Sequence, residues 1–299
     1  MRFSIITPSF RGSKWLKLCI ASVADQQGVQ VEHIVQDAGS DDGTLDWLPH
    51  DGRVKTYIEK DAGMYDAVNR GLRKSSGEIL AYLNCDEQYL PGALLAVREF
   101  FEAHPDVDVA FAHTIVVDAR GEFICYRKAV LPHKHHVMVC HLPTFTCATF
   151  FRRRVLDQHD LWFDSRWRDL GDADWVVRLL EQRVPMAALP RYTSVFTDTG
   201  ENMNLKPNAV REKERMFRAA PRWSQRLALG LQGLHWLRRL AHGNYCQRPF
   251  RYAIYTLDQP NRRSESAVAH PTFVWRERLR SGVESTVRLS VGKTKESER

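Results

Sequence analysis

The 299-residue chain reads as an α/β protein: a Rossmann-like, mainly parallel sheet flanked by helices, with a helical C-terminal extension. Three observations carry that reading. Short apolar runs alternate with segments of helical spacing over roughly the first hundred residues, the pattern of right-handed βαβ crossovers. Several of those runs stop in polar or acidic residues, as strands do where their loops gather at one edge of a parallel sheet. From about residue 206, apolar residues fall three and four apart among arginines.

Residues 3–7 form a first buried strand that stops at Pro8. Trp15, Leu18, Cys19, Ser22 and Val23 give a helix over Trp15–Gln26, ended by Gly28. Val31–Val35 is a second strand, closing on Asp37. After the turn residues Asp42 and Gly43, Thr44–Leu48 is a short helix. Val54–Ile58 is a third strand, Ala62–Lys74 a helix, and Ile79–Leu83 a fourth strand. Pro91 opens a helix to about Ala103, since proline is tolerated in a first helical turn. Val107–Ala112 is a strand, and Thr114–Val117 with Glu122–Arg127 reads as a hairpin around Asp118–Gly121. Thr146–Arg152 and Met186–Leu189 are further strands, and Asp172–Gln182 is a helix. Beyond that, Trp223, Leu227, Leu231, Leu234 and Leu237 form an apolar stripe flanked by Arg222, Arg226, Arg238 and Arg239. Packing of that stripe on the main domain is the expected use, with an anionic membrane surface as the alternative. The boundaries that follow are 1–205 (halves 1–112 and 113–205), a helical basic extension over 206–278, and a disordered polar tail at 279–299.

Composition narrows the function. Hydrophobic residues make up 43% and charged residues 26%, as in a globular protein. No apolar run approaches the roughly 18–20 residues that cross a bilayer, and the apolar start is too short for a signal peptide. A cytoplasmic location is expected. The net charge of +7 fits an anionic partner, but no basic stripe or reading motif points to nucleic acid. Six scattered cysteines, without a C-x-x-C pair, read as free thiols. His133, His135, His136 and His141 are dense, yet lack the spacing of a zinc-binding helix, and no metal is expected on them.

Four segments converge on one predicted sheet edge: Thr7-Pro8-Ser9-Phe10, Asp37 to Thr44, Asp61 to Gly63, and Asn84-Cys85-Asp86-Glu87. Asp37, at a strand end, can accept a hydrogen bond from a base N–H, or cap its own Asp41-Asp42-Gly43 turn. Pro8 and Phe10 can line a flat apolar slot. Asp86 is a candidate ligand for a hard divalent ion, with Glu87 beside it. Asp172 and Asp174 bracket one small residue at a helix start, where a carboxylate can serve as a general base or simply complement the helix dipole.

These segments resemble the family 2 glycosyltransferases, inverting enzymes of the GT-A fold. The run Asp37-Ala-Gly-Ser-Asp-Asp-Gly-Thr44 is close to the family's D-x-S-x-D-G-T. Asp61-x-Gly-x-Tyr-Asp-Ala-x-Asn-x-Gly71 is similar to a bacterial branch that builds surface polysaccharides. Leu83-Asn-x-Asp-Glu87 stands where the family has D-x-D, with Asn84 in place of the first acid. Gly171-Asp-Ala-Asp-Trp175 resembles the acceptor-side segment carrying the catalytic base. The likeness covers roughly residues 1–200.

The resemblance implies a nucleotide-binding half over 1–112 and an acceptor half over 113–205. It implies a nucleoside diphosphate sugar donor contacted by Thr7, Pro8, Phe10, Asp37, Asp61, Asn84 and Asp86. Mn2+ or Mg2+ would sit on Asp86 and Glu87, and Asp172 would be the base, with Asp174 the fallback. The acceptor would be a glycan or lipid-linked saccharide, with peripheral contact at the inner membrane face. A nucleotidyltransferase, or a nucleotide-sugar-binding domain without activity, are the alternatives; the first would favour a glycine-rich basic loop after strand one.

Overall fold

The computed structural model describes residues 1–200 and 207–275. The first half follows the predicted alternation: β1 (Arg2–Ser9), α1 (Ser13–Ala24), β2 (Gln30–Asp37), α2 (Thr44–Trp47), β3 (Lys55–Ile58), α3 (Met64–Lys74) and β4 (Ile79–Tyr82). These strands pair in parallel, in the order β3-β2-β1-β4. Strand side chains alternate between the two faces. Phe3 and Ile5 pack with Cys19 and Val23 of α1, whereas Ile6 packs with Ile34, Leu80 and the α3 residues Tyr65, Val68 and Leu72. Burial on both faces explains why these strands read as near-continuous apolar runs.

The remaining elements extend the sheet. They are β5 (Glu87–Tyr89), α4 (Ala93–Ala103), β6 (Val109–Asp118), β7 (Phe123–Arg127), α5 (Lys134–Val139), β8 (Thr149–Arg152), α6 (Arg154–Asp157), α7 (Gly171–Glu181) and β9 (Met186–Asp198). The full order is β3-β2-β1-β4-β8-β6-β9-β5, with β7 on β6. β8 runs antiparallel to β4 and β6, β5 to β9, and β7 to β6, so the parallel character belongs to the first half and to β6–β9.

Several elements differ from the sequence expectation. β1 continues through Pro8 to Ser9. At Pro8 it has only β2 beside it, the edge-like position in which a missing N–H is tolerated. The two strands expected around His113 are one strand, β6, whose register against β9 shifts on either side of that residue. Thr146–Ala148 is a 3₁₀ turn that leads into β8.

The extension begins as expected, with α8 (Pro207–Ala219), α9 (Arg222–Arg226) and α10 (Ala228–Ala241). It is not helical throughout. β10 (Phe250–Ile254) and β11 (Ser264–Val268) form an antiparallel hairpin. Tyr252, Ile254 and Val268 of that hairpin pack on Leu90, Ile115, Val117 and Val195. The Gln88 side chain donates to Tyr255 O (2.8 Å) and accepts from Tyr255 N (2.9 Å). Arg263 grips Asp25 through Nε and NH2. The expected disordered tail at 279–299 lies outside the described residues.

The expected packing of the α9–α10 stripe does not hold. Trp223, Leu227, Leu234 and Leu237 are exposed, as are Trp236, Leu240 and Leu229, the last at 80%. α10 instead turns His235 inward, and Arg238 donates to Leu131 O at 2.9 Å. Among the described residues, no helix is long and apolar enough to cross a membrane.

Candidate functional site

The four predicted loops leave β1, β2, β3 and β4 at one edge and are stitched together. Ala38 N donates to Ser9 O (2.9 Å), Arg11 N to Ser40 Oγ (2.8 Å), Ser13 N to Asp42 Oδ2 (3.0 Å) and Glu59 N to Asp37 O (2.9 Å). The chain turns at Arg11, whose φ is 54°, so that Gly12 reaches the Asn84–Glu87 turn. A Cβ on Gly12 would sit 2.8 Å from Cys85 Sγ, so that approach needs glycine.

The predicted contact residues divide into open and closed. Phe10 stands free at 56% exposure, with the Arg11 guanidinium 5.1 Å from its ring centroid, and Arg11 is itself forked onto Asp41. Pro8 is buried. Thr7 is turned inward: its hydroxyl lies 2.8 Å from His33 Nε2 and it is fully buried, so its side chain is not at the loop surface. Asp37 is also closed in, at 0% exposure. Its Oδ1 accepts from Gly39 N (2.9 Å) and Ser40 N (2.7 Å), and its Oδ2 from Ser40 Oγ (2.8 Å). That is the turn-capping geometry, and it leaves little of the carboxylate for a nucleotide base. Asp61 is part-buried and braces Gly63 N at 2.9 Å; burial first, then the nearby Asp66 and Asp37 charges, raise its pKa.

The turn after β4 is the acidic centre. Asp86 is half-buried, and burial pushes its carboxyl up. Glu87, in β5 at 1% exposure, is pushed up by burial and by the Asp86 charge beside it. Glu87 Oε2 accepts from Asn84 N at 2.8 Å, while Glu87 Oε1 and Asn84 Oδ1 are buried without a hydrogen-bond partner. Buried acceptors without donors, next to a half-open carboxylate, fit a divalent cation.

Asp172 lies at the start of α7, where Gly171 lets the chain lie against the Tyr65 ring. A Cβ there would come within 2.6 Å of Tyr65 Cε2. The Tyr65 hydroxyl reaches Asp172 Oδ1 at 3.3 Å. Burial pushes Asp172 up to about 6, against hydrogen bonds from Ala173 N and Tyr65 that lower it. Asp172 lines a small cavity, about 10 Å³, walled also by Tyr82, Thr146, Phe163 and Trp175. Tyr82, the last residue of β4, joins the two acidic groups: burial raises its hydroxyl pKa, and Asp172 and Glu87 both add to that. The structure thus brings Asp172 and the Asn84–Glu87 turn to one neighbourhood and leaves Asp37 out of that cavity wall.

Asp174 faces a different task. Its Oδ2 accepts from Arg178 Nε at 2.8 Å, and Arg178 also donates to Trp162 O. Two further residues support this neighbourhood, of which Glu212 is not singled out in the sequence. Glu212 of α8 is buried and accepts from Arg168 N (2.8 Å), Asp169 N (2.9 Å) and Leu170 N (2.9 Å), holding the approach to Asp172. Asn69 of α3 donates to Phe163 O (2.7 Å) and accepts from Phe163 N (3.1 Å), fixing a cavity wall. The role of Glu212 is not visible locally, since the three backbone N–H groups it holds lie more than forty positions away.

An α/β sheet with loop-borne acids at its parallel edge and a further carboxylate at the start of α7 fits a glycosyltransferase of the GT-A type. The model for glycosyl transferase family 2 matches residues 4–161, and the chain belongs to that family. It is 29% identical over 222 residues to a PGL/p-HBAD biosynthesis glycosyltransferase of Mycobacterium bovis, covering 71% of this chain and 81% of that protein. It is 32% identical over 102 residues to TuaG of Bacillus subtilis, a putative teichuronic acid biosynthesis glycosyltransferase, covering 32% of this chain and 40% of that one. Among solved structures, S. aureus TarS 1–349 in complex with UDP-GlcNAc superposes with a TM-score of 0.56 at 16% identity, over 81% of this chain and 73% of that one. The Pyrobaculum calidifontis mannosyltransferase PcManGT, in complex with GDP-Man and Mn2+, gives 0.51 at 15% identity, over 81% and 79%.

Proposed function

We propose that this glycosyltransferase moves a sugar, with inversion at the anomeric carbon, from a nucleoside diphosphate sugar to a hydroxyl of a glycan or lipid-linked saccharide. The observation that carries the reading is Asp172: a part-buried carboxyl raised to about 6, at a helix start, lining a cavity that shares Tyr82 with the end of β4. In this reading Asp172 takes the proton as the acceptor oxygen bonds to the anomeric carbon and the bond to the diphosphate breaks on the opposite face. A pKa near the working pH suits a group that must be ionised before, and protonated after, that step.

Phe10 is assigned to stack on the donor base, with Pro8 supporting it, and Asp61 to the donor side of the same loops. Asp37 and Thr7 are assigned to shape the loop from within. Asp86 and Glu87 would hold Mn2+ or Mg2+, with Glu87 also accepting from Asn84 N to fix the turn. When bound, such an ion would supply positive charge against the negative charge building on the leaving diphosphate. Asp174 is assigned to position α7 through Arg178. The donors in the TarS and PcManGT complexes support a nucleoside diphosphate sugar as the substrate class. The named roles of the mycobacterial and Bacillus relatives support a glycolipid or polysaccharide acceptor.

Peripheral binding to the inner membrane face is part of the proposal. The exposed Leu227, Leu229, Trp236, Leu237 and Leu240 would enter the headgroup boundary, with Arg222 and Arg226 beside anionic lipid. Liposome co-sedimentation of the full chain against Leu229→Glu/Leu237→Glu tests this part; equal pelleting on anionic vesicles argues against it. Transfer itself is tested by the anomeric configuration of the product from an α-linked donor, read by NMR. A β-linked product agrees with inversion, and an α-linked product overturns it.

A further inference from the structure

Away from the strand-end loops, three imidazoles meet between the acceptor half and the extension. His136 comes from α5, His141 from the loop after it, and His235 from α10. Their ligating nitrogens all lie within 4.8 Å of one another. The His136 ring stacks on His235 at 4.3 Å between centroids, and His141 meets His136 edge-on at 4.6 Å. His136 and His235 are 3% and 4% exposed, while His141 opens to solvent.

The packing alone does not account for His136. Neither of its ring nitrogens has a hydrogen-bond partner, and Gln232 lies near the ring without reaching either one in hydrogen-bond geometry. A buried polar ring left unpaired is unfavourable unless something else occupies it. A neutral imidazole offers one ring-nitrogen lone pair to a metal.

We propose that His136, His141 and His235 bind one Zn2+ and so pin α10 to α5. Three neutral imidazoles are a donor set for a borderline transition metal, not for Mg2+ or Ca2+, which take oxygen ligands. Zinc accepts three protein ligands with water in the fourth position, and the exposed side of His141 leaves room for that water. The pattern escapes a sequence scan because His235 lies 94 positions beyond His141, and the remaining pair is spaced unlike a zinc-binding helix. The site joins two functional regions: α10 bears the exposed apolar face, and Leu142 and Thr144, just after His141, line the cavity of Asp172. The inference does not rest on the proposed transfer reaction.

The test uses the full chain, purified without a histidine tag, stripped with a chelator and titrated with Zn2+ against a chromophoric competitor. The expected result is one tight zinc per chain, a rise in Tm on adding zinc, and the visible absorption of tetrahedral Co2+ on substitution. His235→Gln and His141→Gln should each weaken zinc binding by more than the roughly 10–100-fold that loss of a supporting hydrogen bond costs. His141 is exposed, so its variant should keep the Tm of the metal-free protein, which separates ligand loss from misfolding. Asp86→Asn should retain the zinc. No zinc uptake by the stripped protein, His141→Gln binding as the parent does, or loss of the zinc in Asp86→Asn would each overturn the proposal.

Discussion

The Tyr65 hydroxyl sits 3.3 Å from Asp172 Oδ1 and 3.4 Å from Asp169 O, so one phenol touches both the proposed base and the loop that presents it. The contact is long for an O–H···O bond and therefore a modest one. Its direction is still clear: a donor to the carboxylate favours the charged form, and Tyr65 holds Asp172 lower than burial alone would.

Activity should accordingly fall as pH drops through about 6, where Asp172 becomes protonated. Tyr65→Phe removes the donor, raises the Asp172 pKa and moves the acid limb to higher pH. A loss of about 1 kcal/mol in that bond would shift the limb by less than about one pH unit. The log(kcat/KM)–pH profile of the two proteins checks this. An unmoved limb would mean that Asp172 does not control it.

Asp172 and Asp174 should separate cleanly. Asp172→Asn should cost about 10²–10⁴-fold in kcat with little change in donor binding. Asp174→Asn breaks a part-exposed pair with Arg178 worth under about 1 kcal/mol. It should lower Tm slightly and leave most of kcat. Steady-state kinetics with a thermal melt for each variant is the check.

Glu212 acts on Asp172 through the chain. It accepts three backbone N–H groups ahead of α7, and its charge also raises the Asp172 pKa. Glu212→Gln cannot accept at both positions and leaves buried donors unpaired, a loss of roughly 1–3 kcal/mol. It should reduce kcat and stability together, and it should move the acid limb to lower pH, the opposite of Tyr65→Phe. A purely structural role would leave the limb in place.

Far from the site, Glu32 is buried under the start of the sheet. Burial alone would raise it, but hydrogen bonds from Ser4, Lys55 and Ser76 prevail and bring it down to about 2, from 4.5. A lowered carboxyl contributes stability that is present above its unfolded value near 4.5 and is lost as pH falls through about 2. The size is on the order of 3 kcal/mol. Glu32→Gln should lower the urea midpoint at about pH 7 and narrow the gap to the parent by about pH 3. A gap that stays constant over that range would contradict the account.

Much of this architecture was legible in order along the chain. Strands such as Phe3–Ile6 and Ile79–Tyr82 are buried on both faces and carry their signal in consecutive apolar residues. The acids that end them could be placed at one edge because parallel strands present their ends together. What escaped depends on distant partners. β5 is three residues long and exists because β9 pairs with it. The β10–β11 hairpin sets exposed Arg251 and Glu265 between residues it turns toward Val117 and Val195, too short a pattern to outweigh the helical run before it. Asp37 could be placed at its strand end, but its closure by Gly39 and Ser40 could not. The α10 stripe had the spacing of a packed face, and only tertiary placement, with His235 inward, turned it to solvent.

The most direct test compares Asp172→Asn and Asp86→Asn with the parent, in one calorimetric titration of UDP and GDP with Mn2+ and one assay of sugar transfer. If the strand-end turn holds the donor and the α7 carboxylate moves the proton, Asp172→Asn binds the nucleotide and manganese as the parent does yet transfers no sugar, whereas Asp86→Asn loses the manganese-dependent part of binding. Transfer by Asp172→Asn at the parent's rate would contradict the account.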